Sequence, residues 1–167
     1  MHLSALLPTT LGIFTLVIDG VGLCALSFPE EILPATLSPT RVDIAAHPLL
    51  DEASRQLLAY LNGSLHCFDL PLSIHGTPFQ LQVWQQLQTI PYGHTRTYGE
   101  LAVLVGGRHK ARAVGGAAHA NPLAIVIPCH RLIGTNGKLT GFGGGLTMKQ
   151  ALLELEGSTI RNMKKVT

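Results

Sequence analysis

The chain has 167 residues, 46% of them apolar and 13% charged, with a formal net charge of +2. That length holds one domain or two small ones with a true core, and so apolar a composition excludes a disordered chain. No apolar run approaches the roughly 18 residues of a membrane-spanning helix, and Cys24, Cys67 and Cys129 form neither a disulfide framework nor a C-x-x-C metal site.

The N-terminus is apolar but lacks the basic start of a signal peptide, and Asp19 interrupts the stretch. Leu23 is too bulky to precede a lipoprotein cysteine at Cys24. The expectation is an intracellular protein: cytoplasmic, or nuclear in a eukaryotic source. The charge is unevenly divided. Residues 1–93 carry Arg41 and Arg55 against seven acids, a net −5, whereas residues 94–167 carry ten Lys/Arg against Glu100, Glu154 and Glu156, a net +7. The basic half predicts an anionic partner such as nucleic acid, with an ordinary solvated face as the alternative.

Leu11–Ile18 and Val21–Phe28 are apolar runs joined by Asp19-Gly20, which predicts a hairpin with a two-residue type I′ turn. Pro29 to Ala46 is loop-like. Leu50, Ala53, Leu57, Leu58 and Leu61 follow a helical period that Asn62-Gly63 stops. Leu65–Leu70 is a further candidate strand. Nothing in residues 1–75 carries catalytic chemistry.

Gly76-Thr77-Pro78 opens a second part, with Thr77 as N-cap and Pro78 at the first helical position. Phe79, Val83 and Leu87 line one face, with Trp84 beside them, until Ile90-Pro91-Tyr92-Gly93 breaks the helix. Thr97-x-x-Glu100 is a capping box for a helix burying Leu101, Leu104 and Val105. Gly106-Gly107 turns the chain into a helix over Lys110–Ala120, basic at its start and small along its body, which Asn121-Pro122 ends. Helix, glycine turn and helix together suggest a helix-turn-helix. Leu123–Ile127 is a buried strand by composition, and Pro128, with no N–H to donate, ends its ladder.

A thiol, an imidazole and a fixed positive charge follow at once as Cys129, His130 and Arg131. Thiols react as thiolates, and neighbouring cations favour that form. The bland alternative is a buried structural cysteine beside a surface histidine. A glycine-rich loop runs from Gly134 to Gly145 without the phosphate-loop pattern. Thr147-x-x-Gln150 is read as the cap of a last helix ending at Glu156-Gly157. A helix C-terminus disfavours an anion, so Glu156 is either a solvated carboxylate or one held there to orient an imidazole.

Pro128-Cys129-His130-Arg131, after Asn121-Pro122 and the apolar run, resembles the active-site signature of the O6-alkylguanine-DNA alkyltransferases, the methylated-DNA–protein-cysteine methyltransferases. Gly76–Gln80, Val83-Trp84, Ile90–Gly93, Thr97–Ala102, Ala111–Gly115, Gly144–Leu146 and Lys149 through Glu156-Gly157 are similar to that family too. The likeness is dense over 76–157 and looser over 9–70. It implies an α/β architecture in two domains. Residues 1–75 would form a small ribonuclease-H-like domain, and residues 76–167 a winged-helix-like, helix-turn-helix DNA-binding domain that carries the active site.

The implied reaction moves an alkyl group from O6 of guanine in double-stranded DNA onto Cys129, irreversibly and once, after the nucleotide is flipped out of the stack. His130 would take the thiol proton through a water and Glu156 would hold His130. Tyr98 would help rotate the phosphate and hydrogen-bond the leaving guanine, and Asn121 would tie the helix-turn-helix to the active-site turn. Arg112 would fill the gap in the stack, with Tyr98, Ala113, Gly115 and Arg131 on the DNA side and Leu132, Phe142, Gly143 and Lys149 around the base. The resemblance implies a monomer with no cofactor. Some members hold structural zinc in the N-terminal part, but Cys24, Cys67 and the scattered histidines show no ligand spacing, so no metal is expected. Many members have tyrosine at Phe142 and some serine at Gly143. The rival is an alkyltransferase-like damage sensor that flips the same base without transfer, against which Cys129 argues directly.

Overall fold

The structure, a computed structural model, describes residues 1–157. They form two units: Met1–His75 with Pro122–Ala124, and Gly76–Asn121 with the chain from Ile125 onward. The return of Pro122–Ala124 to the first unit has no signal in the sequence.

In the first unit, β1 (Leu3–Thr9), β2 (Gly12–Ile18), β3 (Leu23–Ser27) and β4 (Thr40–Arg41) form a sheet in the order β3-β2-β1-β4. β1 and β2 are antiparallel with Leu3 opposite Ile18 and Thr9 opposite Gly12, and β4 runs parallel to β1. The expected Asp19-Gly20 hairpin is present, but its turn is not a two-residue type I′ turn. Four residues separate the strands, and Gly20 is not at positive φ. Instead the Asp19 carboxylate accepts the N–H groups of Val21 at 2.7 Å and Gly22 at 2.9 Å. A short acidic side chain thus imitates a backbone turn.

α1 (Pro48–Leu61) starts with the His47 ring accepting from Leu49 N–H at 3.1 Å and is followed by Gly63 at φ +84°. It buries Leu50, Ala53, Leu57 and Tyr60, whereas Leu58 faces outward. Leu65–Leu70 is not a strand. It is fixed instead by Gln56, whose amide donates to Asp69 O at 2.9 Å and accepts Asp69 N–H at 2.9 Å.

Leu123–Ile127 is a second correction. Leu123, Ala124, Ile125 and Ile127 are buried as expected, but only Leu123 pairs, through a single parallel bridge to Leu26. Leu26 N–H donates to Pro122 O at 2.9 Å and Ala124 N–H to Leu26 O at 3.1 Å. Ile125 then takes φ +69°, a costly conformation for a β-branched residue, and a turn replaces the strand. An apolar run reports burial; it does not report the partner that would make a strand of it.

The second unit holds α2 (Pro78–Gln88), α3 (Tyr98–Leu104), α4 (Ala111–His119) and α5 (Leu146–Leu155), with β5 (Arg96–Thr97) parallel to β6 (Leu132–Ile133). Thr77 with Gln80 and Thr97 with Glu100 both form complete capping boxes. Leu101, Ala102 and Val105 are buried, but Leu104 is 52% exposed, contrary to the helical-face assignment. Gly106 and Gly107, at φ +131° and +133°, make the turn of the helix-turn-helix. Trp84 Nε1 donates to Ala117 O at 2.8 Å and ties α2 to α4. α5 is not capped by Thr147: its N-cap is Gly145 at φ +86°, without a side-chain bond.

Candidate active site

Cys129 opens a single 3₁₀ turn, Cys129–Arg131, directly after Pro128. Its N–H donates to Ile127 O at 2.8 Å, and Asn121 Nδ2 donates to the same carbonyl at 2.8 Å. Asn121, at the end of the helix-turn-helix, therefore holds the carbonyl that sets the cysteine's backbone, as the resemblance implies. Cys129 is 8% exposed.

The turn swings His130 inward, where it is fully buried, and its Nε2 meets Glu156 Oε1 at 2.8 Å. Glu156 is the C-cap residue of α5 and its side chain is wholly buried. The solvated-carboxylate alternative is thereby corrected. Four donors among the described residues compensate the unfavourable helix end. Besides His130, Arg131 Nη2 reaches Oε1 at 2.8 Å, Arg131 Nε reaches Oε2 at 3.0 Å, and Gly93 N–H reaches Oε2 at 3.2 Å. Arg131 Nη1 also donates to Ile90 O at 2.6 Å. Arg131 is 7% exposed, so its expected place on the DNA side is corrected: the guanidinium points into the protein and bonds the carboxylate.

Burial is the main influence on His130 and lowers its pKa. The bond and charge of Glu156 oppose this, while Arg131 and Lys149 add to the lowering. A neutral imidazole whose Nε2–H is held by Glu156 presents Nδ1 as its acceptor nitrogen.

A second cluster surrounds Thr140. Lys149 Nζ donates to Thr140 O at 3.2 Å and the Tyr98 hydroxyl donates to it at 3.5 Å. The ammonium lies 5.8 Å from the Tyr98 ring centroid and 5.7 Å from that of Phe142. Burial lowers the Lys149 pKa to about 8, against a smaller upward influence of Cys129. Burial also raises the Tyr98 phenol, which stays protonated and able to donate. Leu132 is fully buried in β6, Phe142 is half-buried, and Gly143 is exposed.

On α4, Arg112 and Ala113 are exposed, and a Cβ on Gly115 would meet the Tyr98 ring at 3.8 Å, an ordinary contact. Among the described residues, nothing beyond its chain neighbours and the backbone of its own helix lies within 4 Å of where a Gly116 Cβ would stand. The sequence reading missed Thr140 and the contributions of Ile90, Tyr92 and Gly93. In the sequence the Ile90–Gly93 turn is a helix breaker and part of the family likeness, with no role in the site attached to it. Its backbone feeds the Glu156 network, and Tyr92 donates to Leu155 O at 3.3 Å.

His2, Asp19 and Cys24 place their ligand atoms within 4.8 Å of one another in the first unit, a grouping their spacing conceals. Two of the three groups are hydrogen-bonded within the protein. Asp19 accepts from Val21 and Gly22, and from Ser73 at 2.6 Å. Cys24 Sγ donates to Val17 O at 3.4 Å, and burial, with the Asp19 charge, pushes the thiol up to about 11. A cavity of about 430 Å³ lined by Leu6, Arg41, Val42, Asp43 and Ile44 also belongs to the first unit.

Comparison with known proteins follows the same division of the chain. Residues 3–74 match the ribonuclease-like domain of 6-O-methylguanine DNA methyltransferase, and residues 78–158 match its DNA-binding domain. A methylated-DNA–protein-cysteine methyltransferase of Methanosarcina acetivorans is 58% identical, over 64% of this chain and 69% of its own. That of Mycobacterium bovis is 51% identical, over 77% of this chain and 78% of its own. The fold is similar to the crystal structure of Mycobacterium tuberculosis O6-methylguanine methyltransferase, with a TM-score of 0.85 and 44% identity over 95% of this chain and 94% of that one. It is also similar to the Mycobacterium tuberculosis OGT protein in complex with DNA, with a TM-score of 0.83 and 44% identity over 93% of each chain. Both halves of the sequence therefore match, in order, and the chain belongs to the 6-O-methylguanine DNA methyltransferase family.

Proposed function

We propose that the protein repairs DNA directly, by moving the alkyl group of O6-alkylguanine onto Cys129 in a single irreversible event. The observation that carries this is the Cys129–His130–Glu156 constellation, with His130 Nε2 2.8 Å from Glu156, in the domain that also presents the helix-turn-helix.

Arg112, exposed on α4, enters the stack as the damaged nucleotide leaves it, and offsets the few kcal/mol of unstacking. His130 takes the thiol proton at Nδ1 through a water. The Cys129 sulfur then attacks the alkyl carbon, the carbon–O6 bond breaks, and its electron pair passes to the guanine. The Tyr98 hydroxyl donates a hydrogen bond to the leaving base and lowers the cost of its charge. The Lys149 ammonium stabilises the thiolate that forms beside it. Atoms balance without a cofactor: the proton taken up by His130 is matched by one delivered from solvent to the guanine anion, a thioether and a guanine result, and the thioether does not hydrolyse. The protein acts as a monomer on duplex DNA, and each molecule reacts once.

The test is intact-mass analysis after mixing with a duplex that contains one O6-methylguanine. The expected gain is one methylene unit, at one equivalent, on the Cys129 peptide. Cys129→Ala should bind the duplex and gain nothing. Transfer by that variant, or a mark elsewhere, would overturn the assignment. A sensor that binds without transfer is not favoured, because the nucleophile, base and orienting carboxylate are all in place.

A further inference from the structure

Glu156 is the partner of His130 in the proposed reaction, yet Arg131 supplies two of the four donor groups described on that carboxylate. Nε lies 3.2 Å from Oε1 and 3.0 Å from Oε2, and Nη2 lies 2.8 Å from Oε1. Both side chains are buried, at 9% and 0% exposure. Resting on that reading, we propose that Arg131 is a positioning residue of the transfer reaction. By neutralising Glu156, it keeps the His130–Glu156 pair from taking up a further proton near neutral pH, and so keeps Nδ1 of the imidazole able to accept the thiol proton.

A lone buried carboxylate beside an imidazole draws a proton into the pair, because opposite charges in a weakly screening interior stabilise each other. That proton has two resting places. On His130 it makes an imidazolium, whose Nδ1 can no longer accept. On Glu156 it makes a carboxylic acid that donates to Nε2 and moves the ring proton to Nδ1. Each state removes the base. The Arg131 charge, bound across both oxygens, opposes each of them, while Glu156 still accepts Nε2–H and fixes the ring. The carboxylate thereby orients His130 without charging it.

Of the groups around the imidazole, Glu156 draws a proton toward it, and Lys149 acts with Arg131 against one. From the Cys129–Arg131 turn come the Cys129 thiol and Arg131 itself. From α5 come Glu156 and the Lys149 ammonium, which also disfavours a proton on His130. From the Ile90–Gly93 turn comes Tyr92, whose ring lies 5.9 Å from the Arg131 guanidinium and whose phenol is kept protonated by burial and by Glu156. Ile90 O, accepting from Nη1 at 2.6 Å, fixes the guanidinium in plane. A lysine at position 131 would keep the charge but lose this fork.

The experiment compares the wild type, Arg131→Lys, Arg131→Met and the double variant Arg131→Met/Glu156→Gln. Single-turnover transfer is measured from pH 5 to 9, and the His130 ring is followed by nitrogen NMR. In Arg131→Met the acid limb of the rate profile and the proton uptake of the pair should both move up by about one pH unit or more. Arg131→Lys should show a smaller movement. The double variant, with no carboxylate charge, should return the His130 titration to low pH even though its transfer rate falls. A folded Arg131→Met with unmoved acid limb and unmoved His130 titration would overturn the proposal and leave Arg131 a structural residue. Should Arg131→Met not fold, the wild type, Arg131→Lys and the double variant decide, and an identical His130 titration in all three overturns the proposal. Failure of the base assignment has its own signature: a His130→Phe variant that transfers at the wild-type rate, whatever Arg131 does.

Discussion

Lys149 shows at the scale of one residue how far a functional site departs from ordinary burial rules. A fully buried lysine with one carbonyl partner at 3.2 Å costs stability. Its pKa of about 8 lies below the usual 10.5, so the unfolded chain holds this proton more tightly than the folded one. The penalty is present in full below about pH 8, shrinks between about 8 and 10.5, and is gone above that. Lys149→Met should therefore unfold at a higher temperature than the wild type at pH 7, gaining at most about 3 kcal/mol from the removed shift less roughly 1 kcal/mol for the lost bond to Thr140. The advantage should narrow as pH rises from 8 to 10, while transfer slows at every pH. Calorimetry across that range checks the sign. An advantage that grows with pH would mean that the ammonium is not the destabilising group.

The position of Glu156 follows similar logic. A carboxylate at a helix C-terminus is locally unfavourable, which is why the residue stood out in the sequence. What the sequence withheld was the neighbour: Arg131, adjacent to the histidine and seemingly suited to phosphate, is the counter-charge.

Among the elements, the helix-turn-helix was the most legible. Thr97 with Glu100, Gly106-Gly107 and Asn121-Pro122 are local signals, and each acts within a few residues of itself. Thr97→Ala should remove the bond from Glu100 N–H to the Thr97 hydroxyl, 3.1 Å long, and cost about 1 kcal/mol. Thermal unfolding would register this, with the transfer chemistry at saturating DNA little changed. Arg112→Ala acts differently, because the side chain is exposed. Its stability should stay within about 0.5 kcal/mol of the wild type, while transfer from duplex DNA slows at least tenfold and transfer from the free modified base does not. Equal slowing on both substrates would remove Arg112 from the flipping step. The strand assignments fared worse. β1 was not anticipated, Leu65–Leu70 proved irregular, and Leu123–Ile127 proved a buried turn. A strand exists only through its partner, and the partner of Leu123 is Leu26, almost a hundred residues earlier.

For the molecule as a whole, the division of charge governs association. The half from residue 94 carries a net +7, with Arg161, Lys164 and Lys165 of that count outside the described residues, and the exposed Arg112 sits at the start of α4. Binding to duplex DNA should weaken steeply with salt, the logarithm of affinity falling by about 0.9 per phosphate neutralised for each tenfold rise in salt. A salt titration by fluorescence anisotropy gives the slope, and Arg112→Ala should reduce it by no more than about one contact, since the proposed role of that residue is to fill the stack. Affinity insensitive to salt would contradict a phosphate-bound complex.

By itself the sequence determined the candidate nucleophile, the two-part organisation, the caps of α2 and α3 and the family resemblance. These rest on residue identity and on interactions spanning a few positions, which spacing preserves. Tertiary structure decided which charge faces which. It turned Arg131 from the expected DNA side to Glu156, set Gly93 and Ile90 into the same network, joined Lys149 and Tyr98 at Thr140, and gathered His2, Asp19 and Cys24 into one cluster. The physical reason is common to all of them: the strength of a charge or hydrogen bond depends on distance and burial, and neither is set until segments remote in the chain have packed.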